Sequence, residues 1–483
     1  MQIARLLNHV VTLSQQTVRL NLPFLTKAQI RLLSIFALAY LAIFLLLQWR
    51  GPHDPGSLFF TVQGYAPKYS LGRLQQAQAF LQSIAQSDRD SIKQTEQTNK
   101  LGTVPPRLCI GMPTARRSQE QYVDITIASL FDHLTPQERA QIQFNLLIAH
   151  TNPREHPFYD ESSPTVNASR VADNVIFYPD IAGSSKSVID RIHQLEKQSK
   201  FNEKSYYDYS LLLHQCVASL APYILILEDD VLAQEGWYAR TMDSLQKLET
   251  GPGYSRREWL YLRLFFTEKF QGWHKEHWPL YLLWSCATVI LVAVILLFLR
   301  LRLSSLSASP SLPYPRSFPR KPSPKDHQLL SLPFIFIVSC LCVPALIILY
   351  FAAGPQTVQP LRPGIHVMNN YGCCSQAFIF RRNMSLALLD WFDERIATDM
   401  KFADPTSNHD HGRKYLRGSI DSAMEIFADE RYLQRYALVP SAFQHIGAKT
   451  YKESKDSGAR ELYNVSGARG IWSFGFEQLV SPS

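Results

Sequence analysis

The stretch Tyr223-Ile-Leu-Ile-Leu-Glu-Asp-Asp-Val231 runs apolar residues straight into three consecutive acids, Glu228, Asp229 and Asp230. A short, unbroken, β-branch-rich run of this kind reads as a strand buried on both faces. Carboxylates at the end of such a strand repel one another and lose hydration unless something offsets both costs. A divalent cation is the natural partner, because Mg²⁺ and Mn²⁺ are held by one or two carboxylates plus substrate phosphates. In open α/β sheets, ligands sit at the carboxyl ends of strands. Taken alone the triplet is more often a solvated acidic turn, so the rest of the chain has to decide.

A second chemical stretch is Arg107-Leu-Cys-Ile-Gly-Met-Pro-Thr-Ala-Arg-Arg117. It is an apolar strand broken at Gly-x-Pro-Thr, with Arg116 and Arg117 beyond and a helix candidate over Asp124–Leu130. Strand, turn, basic residues and helix are how an α/β fold opens a site for anionic phosphates. Further strands are expected over Phe144–His150, Asn174–Pro179, Trp259–Phe266 and Ala377–Phe380. Helices are expected over Tyr206–Cys216, with Asp208 near its start, over Ser385–Ile396, and over Ser419–Ala428, with Asp421 and Glu425 one turn apart. His445 lies between apolar residues in Ala437–Gly447, where a lone histidine is more often a core residue than a ligand. The alternation of strands and helices predicts an α/β fold with a mostly parallel sheet.

Three apolar runs must be accommodated as well. Leu32–Leu47, Trp278–Leu299 and Leu329–Ala353 carry no charge, and a helix of about 20 apolar residues crosses a bilayer core. The first reads as a signal anchor, since no small-x-small cleavage site follows it. The net charge of +8 suggests nucleic acid until it is partitioned. Arg5, Arg19, Lys27 and Arg31 precede the first run without a single acid. Arg300, Arg302, Arg316, Arg320, Lys321 and Lys325 lie between the other two, against Asp326 alone. The remainder is slightly acidic, which leaves no basic face for nucleic acid. The positive-inside rule puts both basic segments in the cytosol.

The expected layout is therefore a cytosolic tail (1–31), an anchor (32–49) and a stem (50–104) with an amphipathic helix. The first part of a lumenal domain (105–277) follows, then a transmembrane helix (278–299), a cytosolic loop (300–328) and a second transmembrane helix (329–353). The rest of the same domain (354–483) closes the chain. The sequons at Asn167, Asn383 and Asn464 all fall in the lumenal parts. Cys109, Cys216, Cys373 and Cys374 would face an oxidising lumen, and their pairing is open.

The motifs Cys109-Ile-Gly-Met-Pro-Thr-Ala-Arg-Arg117, Asp208-Tyr-Ser-Leu-Leu212, Leu225-Ile-Leu-Glu-Asp-Asp-Val231 and Phe443-Gln-His-Ile-Gly447 occur in this order. In that order they resemble the N-acetylglucosaminyltransferase IV superfamily. The domain split by a membrane hairpin narrows the resemblance to the family of post-GPI-attachment transferases that add an N-acetylgalactosamine (GalNAc) side branch to the mannose core of GPI anchors. This resemblance implies a GT-A glycosyltransferase fold, a UDP-sugar donor such as UDP-GalNAc, Mn²⁺, a GPI-glycan acceptor, an inverting reaction and residence in the Golgi membrane. Carried onto this chain, it implies Asp230 as metal ligand, Asp229 on metal or ribose, and Glu228 on ribose or a metal-bound water. His445 approaches the metal or diphosphate. Pro113, Thr114 and Arg117 lie by the uridine and diphosphate, and Asp208 near the nucleotide. An inverting reaction needs a base within reach of the acceptor hydroxyl, for which Asp421 is the candidate and Glu425 the alternative. The hairpin would keep the site near a lipid-anchored acceptor.

Competing readings are an N-glycan-branching N-acetylglucosaminyltransferase and a non-catalytic membrane lectin on the same fold. The spans contain no charge, which leaves a channel or transporter without an ion path. A glycosidase would need two facing carboxylates, which spacing alone does not exclude.

Overall fold

The computed structural model describes residues 25–61, 64, 66–86, 105–117, 120–180, 186–254, 257–270, 272–308, 329–368, 374–403, 416, 418–447 and 471–480. The expected cytosolic tail up to residue 24, the stretch 87–104 of the expected stem, the loop 309–328 and the sequon Asn464 lie outside the described residues. The chain divides into two units.

The first unit holds the described residues up to Gly51 together with Ser57–Phe59 and Trp273–Val358. Among the described residues, three helices are long and apolar enough to cross a membrane: Lys27–His53, Trp278–Ser305 and Leu332–Ala353. The first begins at a capping box. The Gln29 N–H donates to Thr26 Oγ1 at 3.3 Å, and the Thr26 N–H donates to Gln29 Oε1 at 2.7 Å. The same Gln29 side chain donates to the Leu329 carbonyl and to Ser331 Oγ, both at 2.9 Å, which ties the first helix to the start of the third. The third helix passes through a π-helical turn at Val338–Cys342. Pro344 lies just beyond it. Proline lacks an N–H and clashes with the carbonyl four residues back, and the wider turn absorbs both defects.

Among the described residues the second unit is built on ten strands: β1 (Leu108–Thr114), β2 (Ile142–Ile148), β3 (Asn174–Phe177), β4 (Tyr223–Leu227), β5 (Val231–Ala233), β6 (Trp259–Arg263), β7 (Gly364–Val367), β8 (Ala377–Arg381), β9 (Gln434–Val439) and β10 (Phe443–His445). Eight form one sheet in the order β3-β2-β1-β4-β8-β6-β9-β7, and β5 pairs with β10. β3, β2, β1 and β4 are parallel, and β6 and β9 share their direction. Only β8 and β7 oppose them, so the sheet is mostly parallel, as the alternating pattern predicts. β8 follows the apolar hairpin in sequence yet inserts between β4 and β6, which precede it. The segments on either side of the hairpin therefore make one sheet.

Helices cover both faces. They are α1 (Tyr69–Gln86), α2 (Val123–Phe131), α3 (Lys186–Lys197), α4 (Phe201–Ala218), α5 (Trp237–Thr250), α6 (Arg382–Ala403) and α7 (Ile420–Glu430). Side chains alternate along a strand, and β4 divides accordingly. Tyr223, Leu225 and Leu227 join the core beneath α2 and α5, while Ile224 and Ile226 join the core beneath α4, α6 and α7. β1 meets α4 so closely that a Cβ on Gly111 would stand 2.9 Å from Ile226 Cδ1 and 3.1 Å from Leu212 Cβ. A disulfide between Cys109 and Cys216 pins the same strand to the same helix, which decides one pairing that spacing left open. Cys374 is disulfide-bonded too.

The expected stem helix turns out to belong to this unit. Along α1, Arg73, Ala77, Phe80 and Ile84 make one helical stripe, and Arg73 is wholly buried. Its guanidinium pairs with Asp132 at 3.0 Å and donates to the Ala233 and Ser129 carbonyls at 3.1 and 3.2 Å. A stripe anchored by a buried arginine packs this helix on the core of the second unit. No sequence expectation covered α3, α5, β5 or β7. β5 and β7 are too short for a periodic signal, and α3 and α5 carry mostly polar residues.

Candidate active site

The acidic triplet follows β4, whose five residues are all buried. The Glu228 N–H donates to the Gln376 carbonyl at 2.9 Å, which extends the β4–β8 ladder by one bond before the chain turns. Asp229 and Asp230 form the turn into β5. Thr126 of α2 holds that turn: its hydroxyl donates to the Asp229 carbonyl at 2.9 Å and accepts from the Val231 N–H at 3.1 Å. β5 then pairs antiparallel with β10, with His445 opposite Val231. The Ile446 N–H donates to the Asp230 carbonyl at 2.9 Å. Backbone pairing thus carries His445 to the triplet from the far end of the chain.

Asp229 and Asp230 are both buried, and each is surrounded by donors. Thr114 Oγ1, at the end of β1, donates to Asp229 Oδ2 at 2.8 Å. Arg117 Nη2 donates to Asp229 Oδ1 in a very short ion pair and to Asp230 Oδ2 at 3.0 Å. His445 Nε2 lies 3.3 Å from Asp230 Oδ2. Gly447 closes the cradle, since a Cβ there would sit 2.0 Å from Asp230 Oδ2. Burial opposes the charge on Asp230, but His445 and Arg117 outweigh it and hold the carboxyl well below the usual range. Burial pushes Asp229 up, Arg117 pulls against that, and Asp230 adds to it. Asp230 is therefore the firmly ionised member of the pair.

The cost anticipated for these acids is met here by the Arg117 guanidinium, from a residue expected at the diphosphate. The site also fits a divalent cation. Asp230 Oδ1 and His445 Nδ1 are buried and have no hydrogen-bond partner among the described residues. An unpartnered carboxylate oxygen on the firmly ionised Asp230 suits a divalent cation. No group of three or more His, Cys, Asp or Glu side chains is gathered for one among the described residues. An ion held here needs further oxygens, such as those of phosphates and water.

A cavity of about 330 Å³ lies over this cluster. Pro113, Thr114, Ala115 and Arg117 line it from the β1 side, and Cys374, Ser375, Gln376 and Asp421 from the β8 and α7 side. Glu228 lines it too and accepts from Ser375 Oγ at 2.6 Å. Of the expected site residues, Pro113, Thr114, Arg117, Asp208, Glu228, Asp229, Asp230, Asp421 and His445 all meet at this one cavity.

Glu425 does not line it. Its Oε1 accepts from Tyr261 Oη and Arg263 Nη2, both at 2.6 Å, and its Oε2 lies 2.6 Å from Arg435 Nε. A carboxylate clamped by two guanidiniums off the cavity lining has the geometry of an internal brace. Asp421, one turn earlier, does face the cavity. Its Oδ1 accepts from Ser419 Oγ in a very short bond and from the Ser422 N–H at 3.1 Å. Among the described residues its Oδ2 meets only the Cys374 N–H, at 3.5 Å, in a long and weak contact. Asn383 is exposed at the start of α6 and Asn167 is half-buried in the short helix Pro164–Ser169.

Asp208 sits at the cavity wall inside a buried polar knot. Lys204 Nζ reaches Asp208 Oδ2 at 2.9 Å and Oδ1 at 3.2 Å, the Tyr178 hydroxyl at 2.5 Å and the Ala149 carbonyl at 3.0 Å. Tyr178 Oη also donates to Asp208 in a very short bond. The i, i+4 spacing of Lys204 and Asp208 on one helix was a legible signal for this pair. Removing one partner of a buried ion pair strands the other charge, so Lys204→Met is expected to destabilise the unit by about 3–5 kcal/mol. Denaturant unfolding of the purified chain measures this, and a loss under about 1 kcal/mol would show that the pair is dispensable.

Two histidines also flank the β1 end, His156 buried and His150 half-buried. His150 Nε2 accepts from the Arg116 N–H at 2.8 Å, and His156 Nε2 stands 3.3 Å from Thr114 Oγ1. Burial pushes both down to about 4, so both are neutral near pH 7. Nothing in the motif spacing pointed to His156, Tyr209, Ser375 or Gln376, which reach the site only through folding.

Comparison with known proteins accords with this arrangement. A family model described as GPI-N-acetylgalactosamine transferase PGAP4 matches residues 108–416. The mouse alpha-1,3-mannosyl-glycoprotein 4-beta-N-acetylglucosaminyltransferase B is 28% identical over 141 residues, covering 28% of this chain and 25% of that protein. The chicken alpha-1,3-mannosyl-glycoprotein 4-beta-N-acetylglucosaminyltransferase A is 24% identical over 147 residues, covering 29% of this chain and 26% of that protein. The chain thus spans about a quarter of the length of these two relatives. The family match runs through the β1 turn, the acidic triplet, the apolar hairpin and β8 alike, and with it the chain belongs to the GPI-N-acetylgalactosamine transferase PGAP4 family.

Proposed function

We propose that this chain is a metal-dependent, inverting glycosyltransferase of GT-A type. It transfers an N-acetylhexosamine, GalNAc from UDP-GalNAc, onto the mannose core of a GPI anchor. The observation that carries this reading is the buried Asp229–Asp230–His445 cluster, with Arg117 upon it, at the carboxyl end of a central strand in a sheet of the matched family. Asp230 and His445 would hold the divalent ion, Mn²⁺ by preference, and when bound it supplies positive charge against the leaving diphosphate.

The chain's own residues account for the remaining work. Arg117 exchanges one of its carboxylate contacts for a phosphate oxygen, which it binds with equal geometric ease. Thr114 and Thr126 keep the Asp229 turn in place. Asp421 Oδ2, with only one weak contact, accepts the proton of the acceptor hydroxyl. As that oxygen bonds to the anomeric carbon, the bond from that carbon to the β-phosphate oxygen breaks, and its electron pair leaves with UDP. Attack from the side opposite UDP inverts the anomeric centre.

Three apolar helices and the sequons suit a secretory-pathway membrane protein with its amino terminus in the cytosol and its α/β unit in the Golgi lumen. The test is mass spectrometry of GPI glycans from cells with and without the chain. Loss of one N-acetylhexosamine from the mannose core is expected on its removal, and restoration on re-expression. The names of the two relatives favour a second reading, branching of mannosyl glycoproteins. An unchanged GPI glycan with fewer N-glycan antennae would establish that reading in place of the first.

A further inference from the structure

Two polar groups at the cavity remain unused by the chemistry above. Tyr209, on α4, and Gln376, at the start of β8, line the cavity and are only 5% and 6% exposed. The Tyr209 hydroxyl and Gln376 Oε1 are buried and have no hydrogen-bond partner among the described residues. A buried polar atom left without a partner forfeits a full hydrogen bond, and folded proteins rarely keep one without use.

Their placement is informative. Both flank Glu228: the Gln376 carbonyl takes the Glu228 N–H, and the Tyr209 phenol lies in the field of Glu228 and Arg263. Burial, reinforced by Glu228 and opposed by Arg263, pushes the phenol well above its ordinary range and keeps it a donor. β4 stands between β1 and β8 in the sheet. The residues expected at the nucleotide, Pro113 and Thr114, come from the β1 side, whereas Gln376 comes from the β8 side, with Asp421. In the nucleotide-sugar reading, with Pro113 and Thr114 at the nucleoside, the sugar of a diphosphate held at the central aspartates lies toward Gln376, and α4, which also packs on β1, brings Tyr209 to the same cavity. A buried hydroxyl donor and a buried amide acceptor lining one cavity match a group that both accepts and donates, as a pyranose hydroxyl or an acetamido group does.

We propose that Tyr209 and Gln376 form the subsite that reads the polar groups of the transferred N-acetylhexosamine, and so act as specificity-determining residues. This inference rests on the nucleotide-sugar reading given above and assigns the sugar end of the same donor.

The experiment measures binding of UDP and of UDP-GalNAc, with Mn²⁺, to the full-length chain in detergent by calorimetry, for the native protein and for Tyr209→Phe and Gln376→Met. Phenylalanine keeps the ring packed on Phe392, whose centroid lies 6.0 Å away. Methionine keeps the length of glutamine, and an unchanged unfolding midpoint certifies each variant. Each substitution is expected to weaken UDP-GalNAc about tenfold, one hydrogen bond's worth, and to leave UDP within about twofold. Equal weakening of UDP and UDP-GalNAc would overturn the proposal. So would unchanged UDP-GalNAc affinity with a raised KM for the GPI glycan, which would assign the pair to the acceptor. A native chain that binds neither UDP nor UDP-GalNAc would instead defeat the nucleotide-sugar reading, and this subsite with it.

Discussion

Asp230→Ala is expected to lower transfer to the GPI glycan by at least about a thousandfold, the scale on which a site loses its main electrostatic support for a leaving group. The same variant is expected to fold. Arg117 keeps Asp229 as its counter-ion, so no guanidinium is stranded. The turn keeps its shape because Thr126 and Ile446 bond to the backbone of Asp229 and Asp230, not to the deleted carboxylate. Removing one of two adjacent buried acids also relieves their repulsion, and Asp229, which Asp230 pushes up, becomes easier to ionise. The predicted signature is therefore a large loss of activity with a nearly unchanged unfolding midpoint. Radiolabelled transfer and thermal unfolding on the same preparation measure both. Activity within tenfold of the native chain would remove Asp230 from the site, and a collapse of stability would make it a folding residue.

Asp421→Asn carries the second large effect. Asparagine preserves the shape and the acceptor oxygen facing Ser419 and the Ser422 N–H, but it cannot take a proton. A general base contributes about 10²–10⁴ in rate. The turnover number is thus expected to fall by about a thousandfold, with UDP affinity and the KM for the acceptor unchanged. A raised KM at an undiminished turnover number would instead make Asp421 an acceptor-binding residue. Glu425→Gln is the internal comparison on the same helix. Its carboxylate is spent on Arg263 and Arg435, so its loss acts on stability rather than on the turnover number.

The local elements of this protein were legible because each has a local cause. β4 is an unbroken apolar run that ends at charges, and the structure ends it there. The expected helix over Asp124–Leu130 occurs as Val123–Phe131, and the one over Ser419–Ala428 as Ile420–Glu430. The three apolar runs became three apolar helices because length and composition decide that question. The helix of the expected stem groups with the α/β unit, and what it packs on is visible only in three dimensions. The stripe Arg73-Ala77-Phe80-Ile84 has the same pattern whether it packs on a core or lies at a surface, and its burial depends on Asp132 and the Ala233 carbonyl, which are remote in sequence.

The functional residues divide along the same line. The amino-acid sequence by itself nominated the groups that could bear chemistry: the acid triplet, the Pro-Thr-Ala-Arg-Arg stretch, and a late histidine two residues before a glycine. It also determined that two runs between the segments forming the sheet are long and apolar enough to cross a membrane. Tertiary structure decided which groups meet. Antiparallel pairing of β5 with β10 brings His445 onto Asp230, and insertion of β8 beside β4 brings Ser375 and Gln376 to Glu228. The same folding turned Asp421 toward the cavity and Glu425 into a clamp of arginines, although one helical turn separates them. Residue type states what a side chain can do, but its partners are set by strand order and helix phase, and those follow from burying the whole chain at once.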